Sequence, residues 1–506
     1  MCNKVRITNS YPVKLLLLVL AVLYSLSFLF WGGGVDKYYW IIHTDYYQYD
    51  VMNILSFYIG SIWKSIVGGN DILFRLLGWL LSMAAIAVPY SLLQPKEERI
   101  NNLNYLTVGI ILFGFWSYQM YSYDAMTVFS LSLLTSCTIR FNKYSLKSIF
   151  WLALITSLSV ASRLPNFLSI IVVASYLLFH AKQSQVRNRY MYPLAYVVMS
   201  IAMYVIILCA FKQNIDIIGI LQSAFNNVQN QLGESHSSLN LIKSYYHSFV
   251  YCIQRIPTFI CFFGLTYFFA EKIFNNIFLR YSIYALFYIL LFWFGGTDRY
   301  FYELFFSFCI VLLLAISSYK KHSNIDFVTP LFMAFMIPLC AAGSDTGFMK
   351  FFLLSACFSP LVIKEFDEYF RNQVVKAFFI LFVIFSIIIC NLSLFEEFNV
   401  TPEKEIMVKA EKSFNRYGST DKTIFWGKTF VHQLYYDTKS KLPYNNGFHQ
   451  ESQSEVTNII KIMQNNHDFV LYDFSNHEEF KKALLNNGYD IVFEDKDFTI
   501  YSASAK

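Results

Sequence analysis

Charge is what this chain has least of. Only 15% of its 506 residues are Asp, Glu, Lys or Arg, whereas a water-facing globular domain carries about a quarter. So little charge on so long a chain means that much of the surface faces lipid. A basic stripe is also missing, which removes a nucleic-acid role; the net charge of +6 is accounted for by short basic loops. Paired cysteines are missing as well. All but Cys2 fall in or beside apolar runs and the polar C-terminal segment has none, so no disulfide framework exists. No internal repeat is visible. The first apolar run, "LLLLVLAVLYSLSFLFW", lacks a small-residue cleavage site and reads as a retained helix rather than a signal peptide.

What the chain has in quantity is apolar length: 56% of it is hydrophobic and 19% aromatic. Runs of roughly 17–25 apolar residues suffice to cross a bilayer, and such runs recur from Leu15 almost to Leu394. They predict about thirteen spans, centred near residues 23, 83, 111, 132, 154, 171, 202, 258, 288, 310, 333, 355 and 385. Connections such as "RFNKYSLK", "KQSQVRNR" and "SYKKHSN" are basic and alternate with acid-bearing ones such as "GGGVDKYYWIIHTDYYQYD". By the positive-inside rule the basic set is cytoplasmic, together with the N-terminus and its Lys4, Arg6 and Lys14. The acid-bearing set, and with an odd span count the polar tail, lie outside.

Two parts are expected: an all-α polytopic membrane domain over residues 1–395 and a small extracytoplasmic α/β domain over 396–506. The tail reads as strand "KTIFWG", segment "HQLYYDT", helix "SEVTNIIKIMQNN", strand "DFVLYDF", helix "EEFKKALLNNG" and strands "YDIVFED" and "FTIYSA". Two outer connections are long. In "VMNILSFYIGSIWKSIVGG", Asn53, Ser56, Gly60 and Lys64 share one helical face and Val51, Leu55, Tyr58, Ile62 and Ile66 the other, the pattern of a helix lying in the membrane interface. The second, over 212–246, is apolar at first and then polar. Together they suggest a site opening sideways toward lipid.

Ionisable groups at membrane depth cost about 2.5–3.5 kcal/mol each at a helix centre, so those retained are paired or functional. On the outer side they are Asp36, His43, Asp45 and Asp50 in the first loop, Arg75 in "DILFRLLGWL", Asp124 in "YQMYSYDAMT", Arg163 in "ASRLPNF", Asp298, Arg299 and Glu303 in "GGTDRYFYELFF", and Asp345. A carboxylate can take the proton of an acceptor hydroxyl, and an arginine fork matches a phosphate leaving group. A phosphate site at a membrane face suggests a lipid-phosphate donor. Plainer roles remain open for each: a helix cap for Asp124, an interfacial snorkelling role for Arg163, an internal salt bridge for Arg75, and pairing with Asp298 or Glu303 for Arg299.

These pieces together resemble the GT-C superfamily of membrane glycosyltransferases, which use polyprenyl- or dolichyl-phosphate sugars and include the aminoarabinose and protein mannosyltransferases. "HTDYYQYD" is similar to the family's first-loop acid motif with Asp45 at the acid position, Thr44 and Tyr46 standing where proline and a second acid are usual. "IVGGNDILFRLLGWLL", "YSYDAMTVFSLSLL", "ASRLPNFLSIIVV", "DRYFYELFFSFCIVLLL" and the tail's "TIFWGKTFVHQLYYDTKSKLPYNNG" are similar to further family segments in the same order.

The resemblance implies inverting transfer of a hexosyl or pentosyl group from a polyprenyl-phosphate carrier to a glycan, lipid or protein acceptor at the outer face of a bacterial inner membrane. Asp45 would be the general base and Asp124 a second catalytic acid, with His43, Arg75, Arg163, Arg299 and Tyr300 binding substrate. The residues fix no cofactor, and His43 with Asp45 or Asp124 leaves a divalent metal open. A transporter or flippase of lipid-linked glycans is the alternative from another class; an O-antigen polymerase or ligase is a further enzyme reading, for which the 212–246 loop offers His236 but no arginine.

Overall fold

The computed structural model describes residues 11–31, 36–49, 52–116, 121–141, 143–186, 188–211, 328–341, 351–369, 403–427, 430–441, 453–465, 468–475 and 478–503, with the single residues 246, 250, 254, 282 and 311. Helices Tyr11–Trp31, Asp71–Leu93, Leu103–Trp116, Tyr123–Ile139, Leu146–Ser162, Leu168–Gln183, Met191–Ala210, Val328–Met336 and Phe351–Cys357 cover the expected span centres up to 202 and those near 333 and 355. The centres near 258, 288, 310 and 385 lie outside the described residues. Among the described residues, three helices are long and apolar enough to cross a membrane: Asp71–Leu93, Leu164–Gln183 and Met191–Ala210. Tyr11–Ser27, Leu146–Ser162 and Val328–Cys340 are shorter apolar helices.

Helix Tyr123–Ile139 is the hub of the bundle. It is the most hydroxylated of these helices, and its Ser130, Ser132, Thr135, Ser136 and Thr138 are all buried. A helix enclosed by other helices need not be apolar throughout, provided its hydroxyls find partners. Ser132 Oγ donates to the Ala85 carbonyl at 2.6 Å, and Ser130 Oγ lies 2.8 Å from Ser159 Oγ. The same device joins Leu146–Ser162 to Met191–Ala210, where Ser157 Oγ donates to the Ser200 carbonyl at 2.8 Å. By contrast Leu16, Phe30, Leu194 and Ile206 stay exposed, which leaves an apolar outer surface.

A helix forms in the first of the two long connections, over Ile54–Val67, and ends at Gly68, whose φ of 67° places it in the left-handed region that glycine adopts without strain. Its buried face mixes large and small residues, Ile54 and Phe57 with Ser56 and Gly60. Ser56 and Gly60 are buried against protein, whereas Ile62 and Ile66 point outward. Gly60 is required by close approach, since a Cβ there would collide with the Thr44 methyl and the Tyr121 ring.

The tail holds a four-stranded sheet of β1 (Thr423–Trp426), β2 (Val470–Asp473), β3 (Tyr489–Glu494) and β4 (Thr499–Ala503) in the order β1-β2-β4-β3. β1 and β2 are parallel and the other pairings antiparallel. Alternation along the strands sends side chains to opposite faces. Phe425, Tyr472 and Ile500 pack with helices Glu403–Tyr417 and Val431–Asp437, while Ile424, Trp426, Leu471 and Tyr501 pack with Gln453–Asn465 and Glu478–Asn486. Helix Glu403–Tyr417 is an element that the reading of the tail omitted. Its apolar positions Ile406, Met407, Ala410 and Phe414 fall on one helical face, in an otherwise charged segment.

Candidate functional site

The connection after the first helix, expected on the outer side, folds as helix Asp36–His43 followed by a 3-10 turn, Thr44–Tyr49. The turn brings Asp45 back toward helix Ile54–Val67, where Lys64 Nζ reaches its Oδ2 at 2.6 Å. The same ammonium donates to the Ile41 carbonyl at 2.7 Å, so one cation holds both the carboxylate and the C-terminal end of helix Asp36–His43. The Asp45 side chain is 52% exposed. It is therefore a partnered carboxylate that a substrate can still reach. Lys64 was read only as part of a polar helix face; its position nineteen residues after Asp45 carries no local spacing that announces the pair.

Asp124 and Arg163 meet in a second pair, Oδ1 to Nη1 at 3.5 Å, with side chains only 8% and 4% exposed. The cap of helix Tyr123–Ile139 is Ser122, whose side chain accepts the Ala125 N–H, so the capping role open to Asp124 falls to its neighbour. Arg163 ends helix Leu146–Ser162 in an extended conformation ahead of Pro165, which cannot donate a backbone hydrogen bond. Its Nη1 also donates to the Cys340 carbonyl at 2.9 Å, and its guanidinium lies over the Tyr123 ring at 4.9 Å. Arg163, expected to hold a phosphate, is thus occupied by a carboxylate, a carbonyl and an aromatic face.

The turn carrying Arg163 is tied to the connection that follows the first helix. The Leu164 N–H donates to the Met52 carbonyl at 2.8 Å, Ser56 Oγ donates to the Ser162 carbonyl at 2.8 Å, and the Tyr121 hydroxyl donates to the Ser56 carbonyl. Asn166, three residues on and fully buried, donates from Nδ2 to the Ser159 carbonyl at 2.9 Å and to Ser159 Oγ at 3.1 Å. Asn166 escaped the sequence reading because an isolated Asn after a proline looks like turn chemistry; the buried hydroxyl row of the facing helices is what gives it partners.

Arg75 is buried near the start of helix Asp71–Leu93 and pairs with Asp71 at 4.0 Å, one turn before it. His43 is buried with its ring stacked on Tyr39, centroids 4.0 Å apart, and 5.4 Å from the ring of His432 in the tail. Burial, then His432 and Lys64, hold the His43 imidazole well below its ordinary pKa, so it is neutral. Tyr39, Trp40, Phe57, Phe74, Tyr121 and Met126 form one buried cluster between these groups, joined by Tyr123 and by Tyr436 of the tail. Arg299, Tyr300, Asp50, Asp298, Glu303, Asp345 and His236 lie outside the described residues. Among the described residues no three His, Cys, Asp or Glu side chains gather to hold a metal ion, so His43, Asp45 and Asp124 do not form the grouping that a divalent cation needs.

No family model matches the chain, and no curated protein matches it. Solved structures with a similar course are of the Archaeoglobus fulgidus oligosaccharyltransferase. Its complex with zinc and sulfate has a TM-score of 0.49 at 13% identity, covering 96% of this chain and 73% of that one. The form tethered to an acceptor peptide containing the NVT sequon has a TM-score of 0.47 at 12% identity, with 97% and 74% covered. The complex with an inhibitory peptide and a dolichol-phosphate has a TM-score of 0.47 at 11% identity, with the same coverage.

Proposed function

We propose that this chain is an integral-membrane glycosyltransferase that moves a sugar from a polyprenyl-phosphate carrier to an acceptor hydroxyl at the outer face of a bacterial inner membrane. Residues 1–395 form its transmembrane catalytic domain and 396–506 its extracytoplasmic domain. The observation that carries this reading is the half-exposed Asp45–Lys64 pair, set on an outer connection whose next helix turns Ile62 and Ile66 outward. An acid and a cation side by side, at the level of lipid headgroups, suit a reaction that removes a proton and releases a phosphate.

In the proposed step Asp45 takes the proton of the acceptor hydroxyl as its oxygen bonds to the anomeric carbon. The carbon–oxygen bond to phosphate breaks on the opposite side, and the electron pair leaves with polyprenyl phosphate, inverting the centre. Lys64 stands on a flexible four-carbon stem. Donor phosphate draws its ammonium away from Asp45, which frees the carboxylate as a base and neutralises the leaving group. Arg299 and Tyr300 are assigned to the same phosphate and sugar. The buried Asp124–Arg163 pair orients the connection through Met52 and Ser56, and Arg75 and His43 support it from the sides.

The test is transfer from a panel of synthetic polyprenyl-phosphate sugars by purified protein and by its Asp45→Asn variant, with folding checked in parallel. Release of polyprenyl phosphate by the native protein and not by the folded variant supports both the reaction and the base. Release by both moves the base to Asp124. Binding of lipid-linked sugar without release from any donor turns the reading to a transporter.

A further inference from the structure

Among the described residues, helix Val431–Asp437 of the tail touches the first outer connection through His432 and Tyr436. His432 sets its ring edge-on to Tyr39, centroids 5.1 Å apart, and beside His43 at 5.4 Å. One turn later Tyr436 packs its ring on Tyr38 at 4.9 Å, while its hydroxyl donates to the Gly69 carbonyl at 3.0 Å. Ile42 adds an aliphatic contact to the tail's own core. These contacts do not bear on one element alone. Tyr38, Tyr39, Ile42 and His43 lie on helix Asp36–His43, which leads into Asp45. Gly69 lies in the turn that ends the helix carrying Lys64. The tail therefore grips the two segments that supply the Asp45–Lys64 pair, each close to its charged residue. The anchor on the tail side is rigid: His432 and Tyr435 are buried, and Tyr435 Oη accepts the Phe425 N–H of β1 at 2.9 Å.

We infer that His432 and Tyr436 are positioning residues, through which the tail sets the separation and aim of Asp45 and Lys64. The inference rests on the transferase reading for what the pair does, but not for the grip itself. Neither tail residue contacts Asp45 in the structure, and both act through helix Asp36–His43 and the Gly68–Gly69 turn. A displacement of about 1 Å at a reacting pair is worth as much as 10²-fold in rate, so a two-point grip is a physically adequate way to control it. It also explains why a chain whose chemistry sits at the membrane surface carries a separate sheet domain with an aromatic helix turned back toward that surface.

The test compares full-length His432→Ala/Tyr436→Ala with His432→Phe and Tyr436→Phe, by sugar transfer and by amide exchange. In the double-alanine protein kcat for transfer falls at least about ten-fold, with KM for the donor little changed. Exchange speeds at residues 36–43 and 68–71 but not in β1 and β2. His432→Phe, which keeps an aromatic ring against Tyr39, retains most of kcat. Tyr436→Phe, which loses only the bond to Gly69, is intermediate.

Unchanged exchange at 36–43 and 68–71 overturns the grip whatever the activity does. Faster exchange there with unchanged kcat overturns the positioning role. If β1 and β2 also lose protection in the double variant, the two phenylalanine variants decide on the same criteria. Absence of transfer by the native protein removes the transferase reading and the catalytic role inferred with it; exchange then decides the grip alone.

Discussion

Two carboxylate–cation pairs at the same end of the bundle differ in what surrounds them. Asp45–Lys64 is short, at 2.6 Å, and open, with side chains 52% and 23% exposed. Asp124–Arg163 is longer, at 3.5 Å, and almost closed to solvent. An exposed pair contributes about 0–1 kcal/mol, so it can be opened and remade in each turnover. A buried pair whose partner is removed leaves a stranded charge that costs about 3–5 kcal/mol, so it is suited to holding shape. Under the proposed function the open pair suits turnover and the closed pair suits architecture, although the sequence presents both acids alike.

The sharpest way to break this comparison is at Asp45. Asp45→Asn is expected to lower transfer by about 10²–10⁴-fold, the usual worth of a general base, while thermal unfolding in detergent shifts by no more than about 1 kcal/mol. Asp124→Ala is expected to do the reverse in kind, destabilising the protein by about 3–5 kcal/mol. Asp124→Leu combined with Arg163→Met recovers most of that stability, because no charge is then left buried. A stability loss at Asp45 as large as that at Asp124 would erase the distinction.

Gly60→Ala tests the support between the pairs. The added methyl meets Thr44 and Tyr121, and overpacking of this kind costs about 1–3 kcal/mol. It should also weaken transfer, because Thr44 precedes Asp45. Unfolding and activity measured on the same preparation check both effects.

The smallest effect is in pH. The His43 imidazole is held below its ordinary value of 6.5 by burial first and by His432 and Lys64 after that. The folded state therefore refuses a proton that the unfolded chain accepts. Stability is fully present above about pH 6.5 and is lost as pH falls toward the folded value. Glu411, in the tail helix beside Asp437, runs the other way: burial and then Asp437 raise its carboxyl above 4.5, so acid stabilises that group in the fold. Subtracting the pH profile of His43→Phe from that of the native protein isolates the histidine, and a flat difference between pH 5 and 7 would remove it from the account.

The tail was the more legible half. Short apolar runs in "TIFW", "VLYD" and "TIYSA", bounded by polar turns, mark strands whose two faces are both covered, and each forms within a residue or two of where that pattern places it. Helix Glu403–Tyr417 went unread although its apolar stripe was present, because its mean character is that of a solvated linker. In the helical part, run length located the described apolar helices, while the hydroxyl-rich helix Tyr123–Ile139 took its central place from partners on other helices. Lys64 and Asn166 were not legible at the site. Nothing local distinguishes a lysine that meets Asp45 from one that faces water.

The sequence by itself determined the lipid-facing character, the positions of the apolar helices and the strand order along the tail, because these follow from hydrophobic run length and period, which are local. Only the tertiary structure decided that Asp45 meets Lys64, that Arg163 is spent on Asp124 and the Cys340 carbonyl, and that His432 and Tyr436 close on the first outer connection. Those pairings join residues up to 398 positions apart, from Tyr38 to Tyr436. Their partners are selected by how helices pack and which faces are buried, and no short-range pattern encodes that choice.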